Sequence, residues 1–327
     1  MTKVTKLDKN KKDVKIVFMG TPEFAAESLE AIIKEGYDVK LVLSQPDRKK
    51  GRGMKLIETP VKECALKYGI EVYQPEKLRG NEEAINKLKA VDADLFIVVA
   101  YGKILKNDIL SMPKYGCINV HGSLLPKYRG AAPIQYSIIK GEEETGITTM
   151  FMDEGIDTGD MLCKASIKID SEDTYETLHD KLKVLGADVL VETLNKYLEG
   201  SLTAEKQGDD YTLASMIDKE MCKLNFNNNA QDIKNLVRGV NPFPCSYMIL
   251  DDDRRYKVFN VNILKDINVE NYENGEVIKA NYKEGLIIKA NDYAVEICMF
   301  QEQNGKRMSP KDYLKGKEIK VGAKVIW

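Results

Sequence analysis

The chain is sparing with the residues that most often announce a chemistry. It carries two histidines, one tryptophan and six cysteines in 327 residues. The cysteines (Cys64, Cys117, Cys163, Cys222, Cys245 and Cys298) form no Cys-x-x-Cys pair. Neither a zinc site nor a dithiol motif is therefore suggested, and no metal is expected. Most lie in apolar surroundings, which predicts buried, reduced thiols. No run approaches the roughly 20 apolar residues of a spanning helix, so no membrane partner is expected. The Lys-rich start MTKVTKLDKNKKDVK lacks the apolar core of a secretory signal. Residues 1–13 read as a mobile lead-in, and the protein is expected in the cytoplasm, as a monomer. The first apolar run ends in Met19-Gly20-Thr21-Pro22, with no Gly-x-Gly-x-x-Gly and no phosphate-binding P-loop after it. That pattern speaks against nicotinamide and flavin cofactors.

What is present is a long, well-charged chain, 43% hydrophobic and 31% charged, with a net charge of −2. Its length suggests two domains, each able to bury a core. Val14–Met19, Val39–Ser44 and Asp94–Ala100 are apolar throughout, as strands buried on both faces would be. Glu23–Lys34 reads as an amphipathic helix opened by Thr21 or Pro22. Strands alternating with helices predict a doubly wound, Rossmann-like and mostly parallel sheet. Ligands on such sheets bind at the carboxyl ends of the strands. A helical stretch, Ser171–Glu199, leads to a polar connector. Residues 226–241 are again helical. Short runs then follow at regular spacing: Tyr256–Val261, Gly275–Ala280, Gly285–Ala290 and Tyr293–Phe300. They predict a small, OB-like C-terminal β-barrel, with ANYKEGLIIKAN as a hairpin. The expected boundaries are a first domain over residues 14–205, a linker over 206–215 and a second domain over 216–327.

Ile118-Asn119-Val120-His121 alternates apolar and polar residues, so a strand would put Asn119 and His121 on one face. Asn119 can donate an amide N–H, and His121 can exchange a proton near neutral pH. The spacing alone equally allows a loop cap or a structural hydrogen bond. His179, at helical spacing in TYETLHDKLKVL, reads as a packing or surface residue. Downstream, Met152–Asp160 crowds acids and glycines into a tight loop. That loop could hold Asp157 against a histidine or be a plain acidic turn. It lacks the later bidentate Glu of a calcium loop.

Asn119-Val120-His121-Gly122-Ser123-Leu124-Leu125-Pro126-Lys127-Tyr128-Arg129-Gly130, followed by Asp157-Thr158-Gly159-Asp160, resembles the folate-dependent formyltransferase family. Further blocks are similar to the members of that family that act on methionyl-tRNA. These are Phe18–Phe24, Gln45–Arg48, Gly51-Arg52-Gly53, Thr59–Lys62 and Arg129–Gln135. The likeness is specific over residues 16–162 and looser after residue 210. Asn241-Pro242-Phe243-Pro244 has Phe where the family usually has Trp, and Phe226 also stands where a Trp is common.

The resemblance implies Asn119, His121 and Asp157 as a catalytic trio. It implies 10-formyltetrahydrofolate as formyl donor and the α-amine of initiator methionyl-tRNA as acceptor. By the same resemblance Ser123, Leu124, Leu125 and Pro126 line the folate site. A polyanionic acceptor needs basic contacts. Two clusters offer them: Arg48, Lys49, Lys50, Arg52 and Lys55 in a Gly-broken loop, and Lys306, Arg307, Lys311, Lys315, Lys317, Lys320 and Lys324 near the C-terminus. Enzymes that formylate an amino-sugar nucleotide share the trio but would lack the basic loop. A glycinamide ribonucleotide enzyme would lack the second domain. An RNA-binding module with a dead transferase domain would not need the trio intact.

Overall fold

A computed structural model describes residues 1–50 and 54–327, Lys50 by its backbone alone. Two compact units are present. The first comprises Met1–Pro133, Thr145–Ile167 and His179–Ala214; the second comprises Ile134–Glu144, Lys168–Leu178 and Ser215–Trp327.

The first unit is built on a seven-stranded sheet. Its order runs Met161–Lys168, Glu144–Phe151, Cys117–His121, Leu95–Val99, Lys15–Gly20, Asp38–Leu43 and Val72–Tyr73. The last five strands are mutually parallel, and Glu144–Phe151 joins Cys117–His121 antiparallel. Leu95–Val99 is buried along its whole length, which explains its unbroken apolar sequence. The helix Glu23–Lys34 returns the chain over the sheet, burying Phe24, Ala25, Leu29 and Ile32. It opens at Pro22 with no side-chain cap.

Gly20 has a packing role. A Cβ there would sit 2.6 Å from the Ala25 Cβ and 3.0 Å from the Val99 carbonyl oxygen. The absence of a side chain thus lets strand and helix close together. At this first strand the sheet order reverses, and the loops diverge from its end. The Tyr101 carbonyl accepts from Thr21 Oγ1 at 3.2 Å and from Gln45 Nε2 at 3.0 Å. Three strand-end loops are thereby tied together.

The first 13 residues differ from the expected mobile lead-in. Thr2–Lys3 pairs antiparallel with Thr203–Ala204. Leu7 is fully buried, and Lys9 Nζ reaches Asp94 Oδ2 at 2.8 Å. A solitary Leu among lysines gives no period to read, yet its burial and one half-buried ion pair dock the segment.

The second unit holds a curled antiparallel sheet. Its order is Val277–Asn281, Gly285–Lys289, Ala294–Glu302, Arg255–Leu264, Ser246–Leu250 and Val325–Ile326, with Arg307–Met308 on the side of Ala294–Glu302. The expected hairpin is present, Asn281 facing Gly285. The sheet's two ends meet in an antiparallel bridge between Glu276 and Lys324, flanked by bonds from Val277 N to Ala323 O and from Val325 N to Gly275 O. The helix Ala230–Gly239 covers one face and buries Ile233 and Val237 among Val258, Val261 and Ile297. The two chain excursions in this unit are held locally. Arg238 Nη1 donates to the Asp170 and Asp173 carbonyls at 3.1 and 2.9 Å, and Ile139 packs on Cys222, Val240 and Tyr247. Such excursions interrupt the single cut that composition suggests.

Candidate active site

Asn119 and His121 lie on Cys117–His121, an inner strand whose last residue is His121. Alternation puts both side chains on one face. Their cross-strand neighbours are Met150 and Thr148. Asp157 enters from the loop between Glu144–Phe151 and Met161–Lys168. Its backbone is left-handed, with φ of 54°, a conformation uncommon outside glycine and asparagine or aspartate.

The Asp157 carboxylate gathers three neighbours. Oδ2 accepts from the Gly130 backbone N–H at 2.9 Å. Asn119 Nδ2 donates to Oδ1 at 3.3 Å. His121 Nδ1 stands 3.5 Å from Oδ2, an ion-pair distance when the ring is charged. The imidazole itself is almost wholly buried. Its Nε2 is 2.9 Å from the Tyr128 carbonyl oxygen. A carbonyl can only accept, so Nε2 carries a proton, and Nδ1 is the ring nitrogen that faces the Asp157 carboxylate. Asn119 is half-buried, and its amide has a second N–H beyond the one given to Asp157.

Glycines make the close approach possible. Gly130 has φ of +121°, and a Cβ there would lie 2.6 Å from the Ala214 carbonyl oxygen. A Cβ on Gly159 would fall 1.8 Å from the Phe151 carbonyl oxygen. The acidic loop is braced by Asp153 Oδ1, which accepts from the Gly155 N–H at 3.0 Å and the Thr158 hydroxyl at 2.6 Å. Two acids of the crowded loop therefore have separate tasks, one structural and one at the site.

The residues expected to line the folate site divide. Ser123 is buried, its hydroxyl donating to the Lys127 carbonyl at 2.6 Å. Leu125 packs with Met150 and Met161. Its N–H donates to Thr148 Oγ1 at 3.1 Å, and its carbonyl accepts from Lys164 Nζ at 2.7 Å. Leu124 and Pro126 are half-buried and keep apolar surface. Burial lowers the pKa of Lys164 beside this loop.

Of the basic loop, Arg48–Lys50 pairs antiparallel with Lys55–Ile57. Arg48 and Lys49 are exposed on this hairpin, as are Leu56 and Ile57. Arg52, with Gly51 and Gly53, lies outside the described residues, as does the Lys50 side chain. The C-terminal basic cluster is largely neutralised: Lys311, Lys315, Lys317 and Lys324 face Glu296, Asp312, Glu302 and Glu273.

A different basic face appears on the curled sheet. Across it Tyr247, Lys257, Gln301 and Arg307 stand in register. The Arg255 guanidinium lies 3.7 Å from the Tyr247 ring centre, and that of Arg307 lies 4.1 Å from Phe259. Arg255, Lys257 and Arg307 have no carboxylate within ion-pair reach among the described residues. Arg307 falls in the C-terminal basic cluster, but the period-two alternation of Arg255, Lys257 and Phe259 on Arg255–Leu264 is masked in sequence by the denser lysine run nearby.

His179 packs its ring 5.6 Å from that of Phe24, as the helical spacing indicates. Burial raises the pKa of all six thiols, that of Cys117 to about 12. They are poor nucleophiles in that state.

The formyl transferase family model matches residues 14–194, and the formyl transferase C-terminal domain model matches residues 216–318. A methionyl-tRNA formyltransferase of Caldanaerobacter subterraneus is 49% identical over 94% of this chain and 99% of that one. The chain belongs to the formyl transferase family, on its methionyl-tRNA formyltransferase branch. A second such relative, from Clostridium tetani, is 48% identical over 94% of this chain and 98% of its own. Solved structures share the fold at lower identity. WlaRD, a sugar 3N-formyl transferase crystallised with dTDP and 5-N-formyl-THF, superposes with a TM-score of 0.61 at 21% identity. That match covers 90% of this chain and 99% of WlaRD. HypX from Aquifex aeolicus, in complex with tetrahydrofolic acid, gives 0.61 at 13% identity over 95% of this chain and 50% of its own.

Proposed function

We propose that this protein transfers the formyl group of 10-formyltetrahydrofolate to the α-amine of initiator methionyl-tRNA. The observation that carries the proposal is the convergence of Asn119, His121 and Asp157 on one strand end. The folate donor is a substrate, and the residues present suit it. Leu124 and Pro126 keep apolar surface for its flat rings. The Tyr101 hydroxyl, at a neighbouring strand end, is buried without a protein partner among the described residues.

Asn119 gives its remaining N–H to the formyl oxygen, which gains negative charge as the amine adds to the carbon. Such donors are usually the largest single catalytic contribution. His121, protonated at Nδ1, passes that proton to the folate nitrogen as the old C–N bond breaks. Asp157 balances the imidazolium charge and helps a water take the proton shed by the attacking amine. The Tyr128 carbonyl holds the ring so that only Nδ1 exchanges protons.

For the acceptor we assign two surfaces. The basic residues Arg48, Lys49, Lys50 and Arg52 meet the acceptor stem. The Arg255–Lys257–Arg307 face holds phosphate and stacks against RNA. We read the domains as 14–205 and 216–327 joined by 206–215, the second as an OB-like barrel, and the protein as a cytoplasmic monomer. The test offers 10-formyltetrahydrofolate with methionyl-tRNA, an amino-sugar nucleotide and glycinamide ribonucleotide in parallel. Formylation of methionyl-tRNA alone is expected; transfer to either small acceptor instead refutes the proposal.

A further inference from the structure

We propose that Gln207 is a positioning residue for formyl transfer, holding the Asp157 peptide so that its carboxylate faces Asn119 and His121. The inference rests on the role given above to the trio. Gln207 belongs to the polar connector, where sequence alone assigns it nothing. Its Nε2 donates to the Asp157 carbonyl at 2.8 Å and to the Gly159 carbonyl at 2.8 Å. Its Oε1 accepts from Arg129 Nε at 2.8 Å. Both N–H groups and the oxygen of one planar amide are thus spent on the loop that carries Asp157 and on the segment facing it.

Asp157 needs that support. A left-handed non-glycine backbone is strained and persists only when its surroundings over-determine it. The two carbonyls Gln207 grips flank Thr158, so the clasp fixes the turn from both sides. Arg129 anchors the clasp in turn. Its side chain is buried, with the guanidinium 4.4 Å from the centre of the Tyr211 ring. Its backbone N–H donates to the Thr212 carbonyl at 2.9 Å, and Tyr128 N donates to Thr212 Oγ1 at 2.9 Å. Leu213–Ala214 then runs parallel to Arg129–Gly130. Residues 128–130 supply the Tyr128 carbonyl to His121 and the Gly130 N–H to Asp157. The connector therefore braces, from outside, two of the contacts that aim the trio.

A purely structural tether is distinguishable. Gln207→Glu keeps the bulk and the acceptor for Arg129 but loses both donors. Gln207→Ala loses everything. The full-length variants are compared for kcat, for KM of each substrate and for backbone amide exchange at Gly130. A catalytic group displaced by about 1 Å costs up to about 100-fold. We therefore expect kcat to fall about 10- to 100-fold in both variants, with each KM within about 3-fold. Gly130 exchange should rise about 10-fold as its acceptor wanders. Wild-type kcat and Gly130 protection in Gln207→Glu overturn the proposal, whether or not Gln207→Ala remains folded. So does a raised KM for tRNA at unchanged kcat. If the wild-type protein fails to formylate methionyl-tRNA, the reading of function has failed, and the Gly130 exchange still decides the clasp.

Discussion

His121 offers its two ring nitrogens to different partners: Nε2 to the Tyr128 carbonyl at 2.9 Å, and Nδ1 to the Asp157 carboxylate at 3.5 Å. The first contact fixes the ring and its tautomer. In the proposed mechanism the second balances charge at the nitrogen that trades a proton. A neutral amide at position 157 keeps an acceptor for the Gly130 N–H but loses that charge balance. Asp157→Asn should therefore lower kcat by about 10²- to 10⁴-fold, the range of a lost proton-transfer arrangement. Thermal unfolding should stay near wild type. Steady-state kinetics beside a melting curve checks this; retention of full turnover would remove the carboxylate charge from the mechanism.

Asn119→Ala should act differently. Removing one oxyanion donor costs about 10²- to 10³-fold in kcat, while the donor loop is untouched. Folate binding followed by fluorescence should be unchanged. Loss of binding at normal kcat would assign Asn119 to the donor instead.

Gly130→Ala forces a side chain onto the Ala214 carbonyl at 2.6 Å in a backbone with φ of +121°. Strain of this kind costs about 1–3 kcal/mol. The melting temperature should fall by several degrees and kcat should drop with it, because the Asp157 acceptor contact moves. An unchanged melting temperature would show that this backbone relaxes freely.

Arg255→Ala and Arg307→Ala should raise the KM for tRNA, each lowering the slope of log affinity against log salt by about 1. Arg48→Ala and Lys49→Ala on the hairpin should do the same. Lys317→Ala, whose charge already faces Glu302, should change the slope little. The same salt dependence for all five variants would reject this division of the basic residues.

Asp47 precedes the hairpin and accepts from Lys62 Nζ at 2.5 Å and Gln74 Nε2 at 2.7 Å. Burial alone favours its neutral form, but these donors outweigh that and depress its pKa. A depressed carboxylate pKa means stabilisation that is present above the unfolded value of about 4 and is lost as pH falls through the folded one. The melting-temperature gap between wild type and Asp47→Asn should thus be constant near neutral pH and shrink below about pH 4. A gap independent of pH would show that the charge does not matter.

The strands were legible because they are buried on both faces: Leu95–Val99 cannot be anything but apolar. Asn119 and His121 were legible as a pair because alternation has a fixed period. Asp157 needed the longer motif, since an acidic turn and a site loop look alike. Gln207 was not legible. Its partners at 157 and 159 are some 50 residues away, and a lone Gln in a polar connector carries no period. The docking of residues 1–13 was illegible for the same reason, resting on Leu7 and on a Lys9–Asp94 pair 85 residues apart.

The most direct test is the single-turnover rate of formyl transfer to methionyl-tRNA by His121→Ala. A rate about 10²- to 10⁴-fold below wild type, in a protein with an unaltered melting curve, is the predicted result. A wild-type rate in that variant would contradict the assignment of this strand end as the catalytic centre.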